Sequence, residues 1–109
     1  MRIAIAVDGG QVSAHFGHCE GFMLYDIEGK QVANKQMLPN PGHRPGFLPG
    51  YLAERGINCI IAGGLGSNAQ RLFNDNNITV ITGVAGDSDA VAAGWLEGTL
   101  QPGDNSCDH

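Results

Sequence analysis

Positive charge is scarce in this chain: six lysines and arginines stand against eleven aspartates and glutamates, for a formal net charge of −5. A nucleic-acid-binding module needs a basic face to meet phosphate, so that class is excluded. Charged residues of either sign make up only 16% of the 109 residues. No apolar run approaches the roughly 18 residues that a membrane span requires. The opening Arg2-Ile3-Ala4-Ile5-Ala6-Val7 is too short for a secretory leader and has no small-residue cleavage site, so a cytoplasmic protein is expected. Also missing are a Cys-x-x-Cys redox pair, a G-x-S-x-G nucleophile elbow and a phosphate loop ending in Lys-Ser/Thr. Ser13 and His15 have no orienting acid close by in sequence. Asp8 is a lone carboxylate at a strand end, whereas two-metal phosphoryl chemistry needs several that converge. These gaps leave hydrolysis, and redox chemistry through a Cys-x-x-Cys pair, without support.

Glycine is abundant: 17 residues, roughly twice its usual 7% share. The glycines are clustered, so they mark particular loops and not a disordered chain. Hydrophobic residues, at 42%, suffice for one core in one domain. That domain is expected over residues 1–100, followed by a polar tail at 101–109 that carries Cys107 and His109. Cys59 lies in the apolar run Asn58–Ala62 and reads as a small core residue. Cys19 and Cys107 have polar or glycine-flanked neighbours and are expected to be accessible.

Arg2–Val7 reads as a buried strand bounded by Asp8-Gly9-Gly10. Phe22–Ile27 and Gln31–Leu38 read as a hairpin around Glu28-Gly29-Lys30, with the polar second strand at a sheet edge. Pro39–Pro49, rich in proline and glycine, reads as a loop. Leu48, Tyr51, Leu52 and Arg55 then predict a short amphipathic helix stopped by Gly56. Ile57–Ala62 is a continuous apolar strand of the kind buried on both faces. Gly63-Gly64-Leu65-Gly66 follows, with Ser67 as the expected N-cap of a helix that turns Ala69, Leu72 and Phe73 inward. A strand over Ile78–Thr82 leads to Gly83-Val84-Ala85-Gly86. Asp87 or Ser88 caps a last helix with Val91, Ala92, Trp95 and Leu96 on one face, ended by Gly98. The order β-β-β-α-β-α-β-α predicts an α/β domain with a mixed five-stranded sheet and flanking helices. Two crossovers make the first, fourth and fifth strands mutually parallel.

In such a sheet the ligand crevice lies beyond the carboxyl ends of the parallel strands. Asp8 and Gly9, the run Gly63, Gly64, Leu65, Gly66 and Ser67, and the pair Gly83 and Gly86 all fall there. Glycine turns that feed helix N-termini suit an anionic ligand, although tight strand-to-helix turns need glycine in any case. A sharper cluster is His15-Phe16-Gly17-His18-Cys19. Histidine and cysteine are donors for zinc, copper and iron–sulfur units. His43, with Arg44 beside it as a candidate anion contact, and the closing Cys107 and His109 extend the donor set. Isolated surface histidines usually bind nothing, and a surface arginine is usually a solvated charge.

Several of these segments resemble the dinitrogenase iron–molybdenum cofactor biosynthesis family. They are Ser13-Ala14-His15-Phe16-Gly17-His18-Cys19, Asn40-Pro41-Gly42-His43, Ala62-Gly63-Gly64-Leu65-Gly66-Ser67-Asn68-Ala69, the Gly83–Gly86 turn and the closing Cys107-Asp108-His109. The group takes in proteins of the NifX, NafY and NifB C-terminal type and the molybdenum–copper orange protein. The resemblance runs over essentially the whole chain. It implies a ribonuclease-H-like fold and a non-catalytic role in which a metallocluster is held and delivered to a client apo-enzyme or to cluster-assembly proteins. The cargo it implies is an iron–sulfur or molybdenum-containing cluster, Mo–Cu–S or Fe–Mo. His18-Cys19 departs from the family, which often has arginine and a small residue there, so either a soft donor is added or a basic group is missing. Two other readings stand beside this one. One is a simple zinc or copper module built on His18, Cys19, Cys107 and His109. The other is a regulatory domain that binds a small anion or nucleotide at the glycine turns.

Overall fold

A computed structural model of the protein describes residues 1–42 and 46–100. Its strands are β1 (Arg2–Asp8), β2 (Gln11–Val12), β3 (Gly21–Glu28), β4 (Gln31–Pro39), β5 (Cys59–Ile61) and β6 (Thr79–Ile81). Its helices are α1 (Phe47–Ala53), α2 (Ser67–Asp75) and α3 (Ser88–Glu97). The sheet runs in the order β4-β3-β1-β5-β6, and β2 pairs with β1 as a short addition. β1, β5 and β6 are parallel, while β3 and β4 form the antiparallel hairpin beside β1. This is the mixed α/β sheet that the order of elements predicts, with one strand more than expected.

That strand, β2, follows from the turn before it. Gly9 and Gly10 both take positive φ (57° and 81°), the backbone of a two-residue hairpin loop with the right twist for antiparallel strands. The register Val7↔Val12 and Asp8↔Gln11 is the result. Asp8-Gly9-Gly10 is thus a hairpin turn as well as a strand end. β1 is already paired with β3 as far as Val7, and β5 pairs only with Ile3–Ile5. β2 therefore takes the lane that β5 leaves vacant.

Strand alternation sorts the core into two faces. Ala4 and Ala6 of β1 face the side covered by α1 and α2, with Phe16, Phe22, Leu24, Ile60, Leu52 and Phe73. Ile3, Ile5 and Val7 face α3, with Tyr25, Cys59, Ile61, Val91 and Ala92. The alanines leave room for aromatic packing: Phe16 lies 5.6 Å from Phe22 and 5.3 Å from Phe73, the latter edge-to-face. β4 is exposed along almost its whole length, as its polar residues at the sheet edge require. Among the described residues no helix is long and apolar enough to cross a membrane.

Two helix starts differ. Asp87 caps α3 by accepting the Ala90 N–H at 3.0 Å. At α2 the N-cap is Gly66 and not Ser67, which is the first helical residue, and no side chain caps the end. Extended φ and ψ at Gly66 set that boundary one residue early. Below α3, Tyr25 is 2% exposed and donates its hydroxyl proton toward Ser88 Oγ (3.1 Å) and Asp89 Oδ1 (2.8 Å). Lys35 of β4 closes the same network at 2.7 Å from Asp89.

Burial pushes the Tyr25 hydroxyl up to about 12 and the Cys59 thiol up to about 11. Both groups keep their protons in the fold longer than in the unfolded chain, whose ordinary values are 10.0 and 9.0. The stability they contribute is therefore complete below pH 9 and is lost as pH rises through 11 to 12. We expect the urea midpoint to fall steadily above pH 9, and a Tyr25→Phe/Cys59→Ala variant to show a shallower fall from its own starting point. A midpoint in the parent protein that stays level to pH 11 would contradict this.

Candidate site at the carboxyl edge of the parallel strands

Beyond the ends of β1, β5 and β6 the backbone is knitted together by the segment that follows β2. Ser13 N–H donates to the Ala6 carbonyl (2.7 Å), and Gly63 N–H donates to the Ser13 carbonyl (2.8 Å). Phe16 N–H donates to Gly64 (3.1 Å), Gly83 N–H to Gly63 (3.0 Å), and Val12 N–H to Gly86 (2.8 Å). Ser88 N–H, in turn, reaches the Gly10 carbonyl at 3.0 Å. The three glycine turns and the histidine segment therefore do meet at one end of the sheet. The expectation that glycine-turn N–H groups face a ligand fails at Gly63 and Gly83, because both donate to backbone carbonyls. Gly63 matters for space instead: a Cβ there would lie 3.0 Å from both Ala14 Cα and the Ser13 carbonyl oxygen. Gly83 and Gly86 take positive φ (73° and 109°), which a side chain would strain.

Past the crossing, the chain forms a 3₁₀ turn over Phe16–His18 with His15 at its start, and His18 N–H donates to the His15 carbonyl at 3.1 Å. Phe16 points into the core while His15 and His18 are both exposed. One 3₁₀ turn separates the two histidines, a spacing that brings residues i and i+3 to the same side. Ser13, 2% exposed, anchors the entry: its Oγ accepts the His15 N–H (3.1 Å) and lies 3.2 Å from the His15 carbonyl. Asn40 anchors the exit. Its Nδ2 donates to the Cys19 carbonyl (2.9 Å), its backbone N–H donates to Glu20, and its Oδ1 accepts the Gly42 N–H. Neither residue stands among the expected site positions. The Ser-x-His spacing of a hydroxyl-capped turn is the signal for Ser13, whereas Asn40 is marked only by the Asn40-Pro41-Gly42-His43 segment, which does not say that its side chain holds Cys19.

Cys19 is the main departure from expectation. It is buried, 4% exposed, and packs with the Ala6, Phe16 and Phe22 cluster. The polar residues beside it in sequence turn outward while it turns in. Burial, helped by the nearby Asp8 carboxylate, pushes its thiol up to about 11, so at neutral pH it is a protonated core group. Asp8 is exposed at the end of β1 and accepts the Glu20 N–H on Oδ1 at 2.7 Å. Leu65 is buried, 1% exposed, so its side chain belongs to the core beneath α2, whereas Gly66 and Ser67 are exposed. Among the described residues no three His, Cys, Asp or Glu side chains gather as a metal site. His43, Arg44, Cys107 and His109 lie outside the described residues.

Two outcomes test this geometry. Gly63→Ala forces backbone apart at the crossing and should destabilise by about 1–3 kcal/mol, read from a denaturant midpoint; an unchanged midpoint would show that the crossing has slack. In a Cys107→Ser protein, neither Cys19 nor Cys59 should react with a thiol reagent at neutral pH until denaturant is added. Rapid labelling of Cys19 in the native state would contradict its burial.

Residues 1–98 match the family described as dinitrogenase iron-molybdenum cofactor. MJ0580, an uncharacterized protein of Methanocaldococcus jannaschii, is 33% identical over 106 residues, covering 93% of this chain and 90% of its own. The crystal structure of PH0822 superposes with a TM-score of 0.89 at 33% identity, over 94% of both chains. The apo form of the orange protein from Desulfovibrio gigas superposes with a TM-score of 0.79 over 95% of this chain and 93% of its own; at 23% identity that likeness is one of fold. By the extent of the match, the chain belongs to the dinitrogenase iron–molybdenum cofactor family.

Proposed function

We propose that the protein is a cytoplasmic carrier or scaffold for a preassembled metal–sulfur cluster, iron–sulfur or molybdenum-containing, and catalyses no reaction of its own. The cluster is held at the carboxyl edge of the parallel strands and passed to an apo-enzyme or to assembly proteins. The observation that carries this reading is the family match over residues 1–98. The chemistry of the edge supports it. His15 and His18 reach the surface there on a turn held at both ends. The first N–H groups of α2 have no acceptor within the helix and no capping side chain, and such an end favours negative charge.

The donor set also bears on the kind of cargo. Cys19 and Cys59 are both buried, at 4% and 1% exposure, so neither sulfur reaches a cluster at the surface while the core stays closed. A cluster assembled on the thiolates of this core is therefore disfavoured. One that arrives with its own sulfide and is held by imidazoles and backbone dipoles fits better. The net charge of −5 works against an anionic cargo at long range, so local groups must hold it.

Protein purified without oxygen or chelator should contain iron, molybdenum or copper together with acid-labile sulfide, and should absorb visible light through charge-transfer bands. The double variant His15→Ala/His18→Ala should lose most of that metal. A colourless, metal-free protein that also refuses clusters assembled in vitro would overturn the reading.

A further inference from the structure

The two edges of the sheet are unequal. β6 is three residues long, whereas β4 runs for nine, and among the described residues no strand pairs with its outer side. Asn40 N–H donates to the Glu20 carbonyl at 3.1 Å, and Gly21 lies opposite Pro39. Antiparallel pairs alternate in hydrogen bonding. Leu38, Gln36 and Asn34 therefore share the inward direction of Asn40, and the backbone N–H and C=O groups of Lys35 and Met37 point away from the sheet. Long edges are usually blunted by charges, proline or a bulge. Between Asn34 and Leu38 the sole charge is Lys35, and Asp89 of α3 holds it at 2.7 Å. Among the described residues the exposed large hydrophobics are Met1, Val32 and Met37, and two of these three lie on β4.

The features that do interrupt this edge are placed symmetrically. The register shifts between Asp26 and Ile27, which leaves Ala33 as the extra residue of a bulge. At the other end Pro39 has no N–H to give. Ala33 and Pro39 each lie three residues from Gln36. In an antiparallel pairing about a two-fold axis at Gln36, the two interruptions face each other and the regular stretch Asn34–Leu38 meets its own copy. Lys35 then stands opposite Met37 of the second copy, and the two exchange both backbone hydrogen bonds. Gln36 meets Gln36, a pair of neutral amides. An axis at Lys35 would instead set two ammonium groups opposite each other, which is unfavourable. Asp26, across the hairpin from Asn34, is held by Arg2 at 2.6 Å and by the Asn34 amide at 3.4 Å, so its charge is taken up within the chain.

We propose that β4 is a dimerisation edge. Two copies of this chain join antiparallel through Asn34–Leu38, with Gln36 on the two-fold axis and the two sheets continuous across it. A single pair of edge strands makes a small interface, so the dimer is reversible and depends on concentration. A strand of a different protein is the competing occupant, but nothing in such a partner calls for the equal spacing of Ala33 and Pro39 about Gln36. The pairing uses no residue of the His15–His18 turn and no metal, so it and the carrier reading can fail separately.

Sedimentation velocity on the full chain, in a Cys107→Ser background that removes an adventitious disulfide, should show a dimer fraction that rises with concentration. Gln36→Lys sets two ammonium groups face to face at the axis. It should weaken the dimer about tenfold or more and leave the circular dichroism spectrum unchanged. In the same background Gln36→Cys should form an intermolecular disulfide under mild oxidation, because the Cα atoms of a non-hydrogen-bonded pair lie about 4.5 Å apart. Met37→Cys is the control: its two copies would be diagonal neighbours about 7–8 Å apart, beyond the reach of a disulfide. A protein that stays monomeric up to about 1 mM overturns the proposal and leaves the edge to a strand of another protein. So does a dimer that is indifferent to Gln36→Lys, or one in which Met37→Cys cross-links as readily as Gln36→Cys.

Discussion

The crossing of Ser13 and Ala14 over Gly63 is the constraint on which the functional end of this molecule depends. β2 occupies the lane beside β1 beyond β5, and the chain then passes directly over Gly63, just past the end of β5. The two backbones lie so close that a Cβ between them, 3.0 Å from its neighbours, would force them to give way slightly. The same crossing supplies the Gly63 N–H bond to Ser13 and, one step on, the Phe16 N–H bond to Gly64. Phe16 is thereby delivered into the α1/α2 face, where its ring packs on Phe22 and Phe73. The histidines on either side of Phe16 are thus held by a buried aromatic anchor. Their turn is supported by core packing as well as by Ser13 and Asn40, and functional groups on loops need such a scaffold.

The asymmetry of β1 makes that anchor fit. Had the α1/α2 face carried isoleucine and valine at positions 4 and 6, as the other face does at 3, 5 and 7, no space would remain for three phenylalanines. Side-chain volume has to be matched across facing layers, because interiors are packed as densely as organic crystals. Small residues in the central strand are therefore linked to the position of the surface turn two elements later.

Most of the architecture was legible because it is written locally. The Glu28-Gly29-Lys30 hairpin, the polar edge strand, the apolar run before Gly63 and the Asp87 cap each lie within a few consecutive residues, and all appear where expected. β2 was legible in principle, since two consecutive glycines after a strand signal a two-residue hairpin. Its two residues carry no periodicity of their own, and the same glycines also fit a ligand loop. Cys19 was not legible. The residues directly beside it, His18 and Glu20, are polar, and burial at a single position in a turn is decided by where Asn40 and Ala6 of β1 arrive from elsewhere in the chain. The glycine turns show the same limit from the other side. Their presence could be read, but the partner of each N–H could not: the acceptor for Gly63 belongs to a segment some 50 residues away.

The separation of donor types has a consequence for the carrier role. Thiolates bind soft metals more tightly than imidazoles do, and this fold keeps Cys19 and Cys59 buried in the core while His15 and His18 reach the surface. A rim rich in thiolates would be a thermodynamic sink for a metal–sulfur cargo. A rim of imidazoles and backbone dipoles would hold the same cargo less strongly, and a client that offered more cysteines would draw it away downhill. Under the proposed carrier role, ligand exchange toward thiolate would set the direction of transfer without a conformational change in the carrier. On that reading the choice of donors would limit affinity for the cargo, and the burial of Cys19 beneath the histidine turn is the structural feature that withholds a thiolate from the rim.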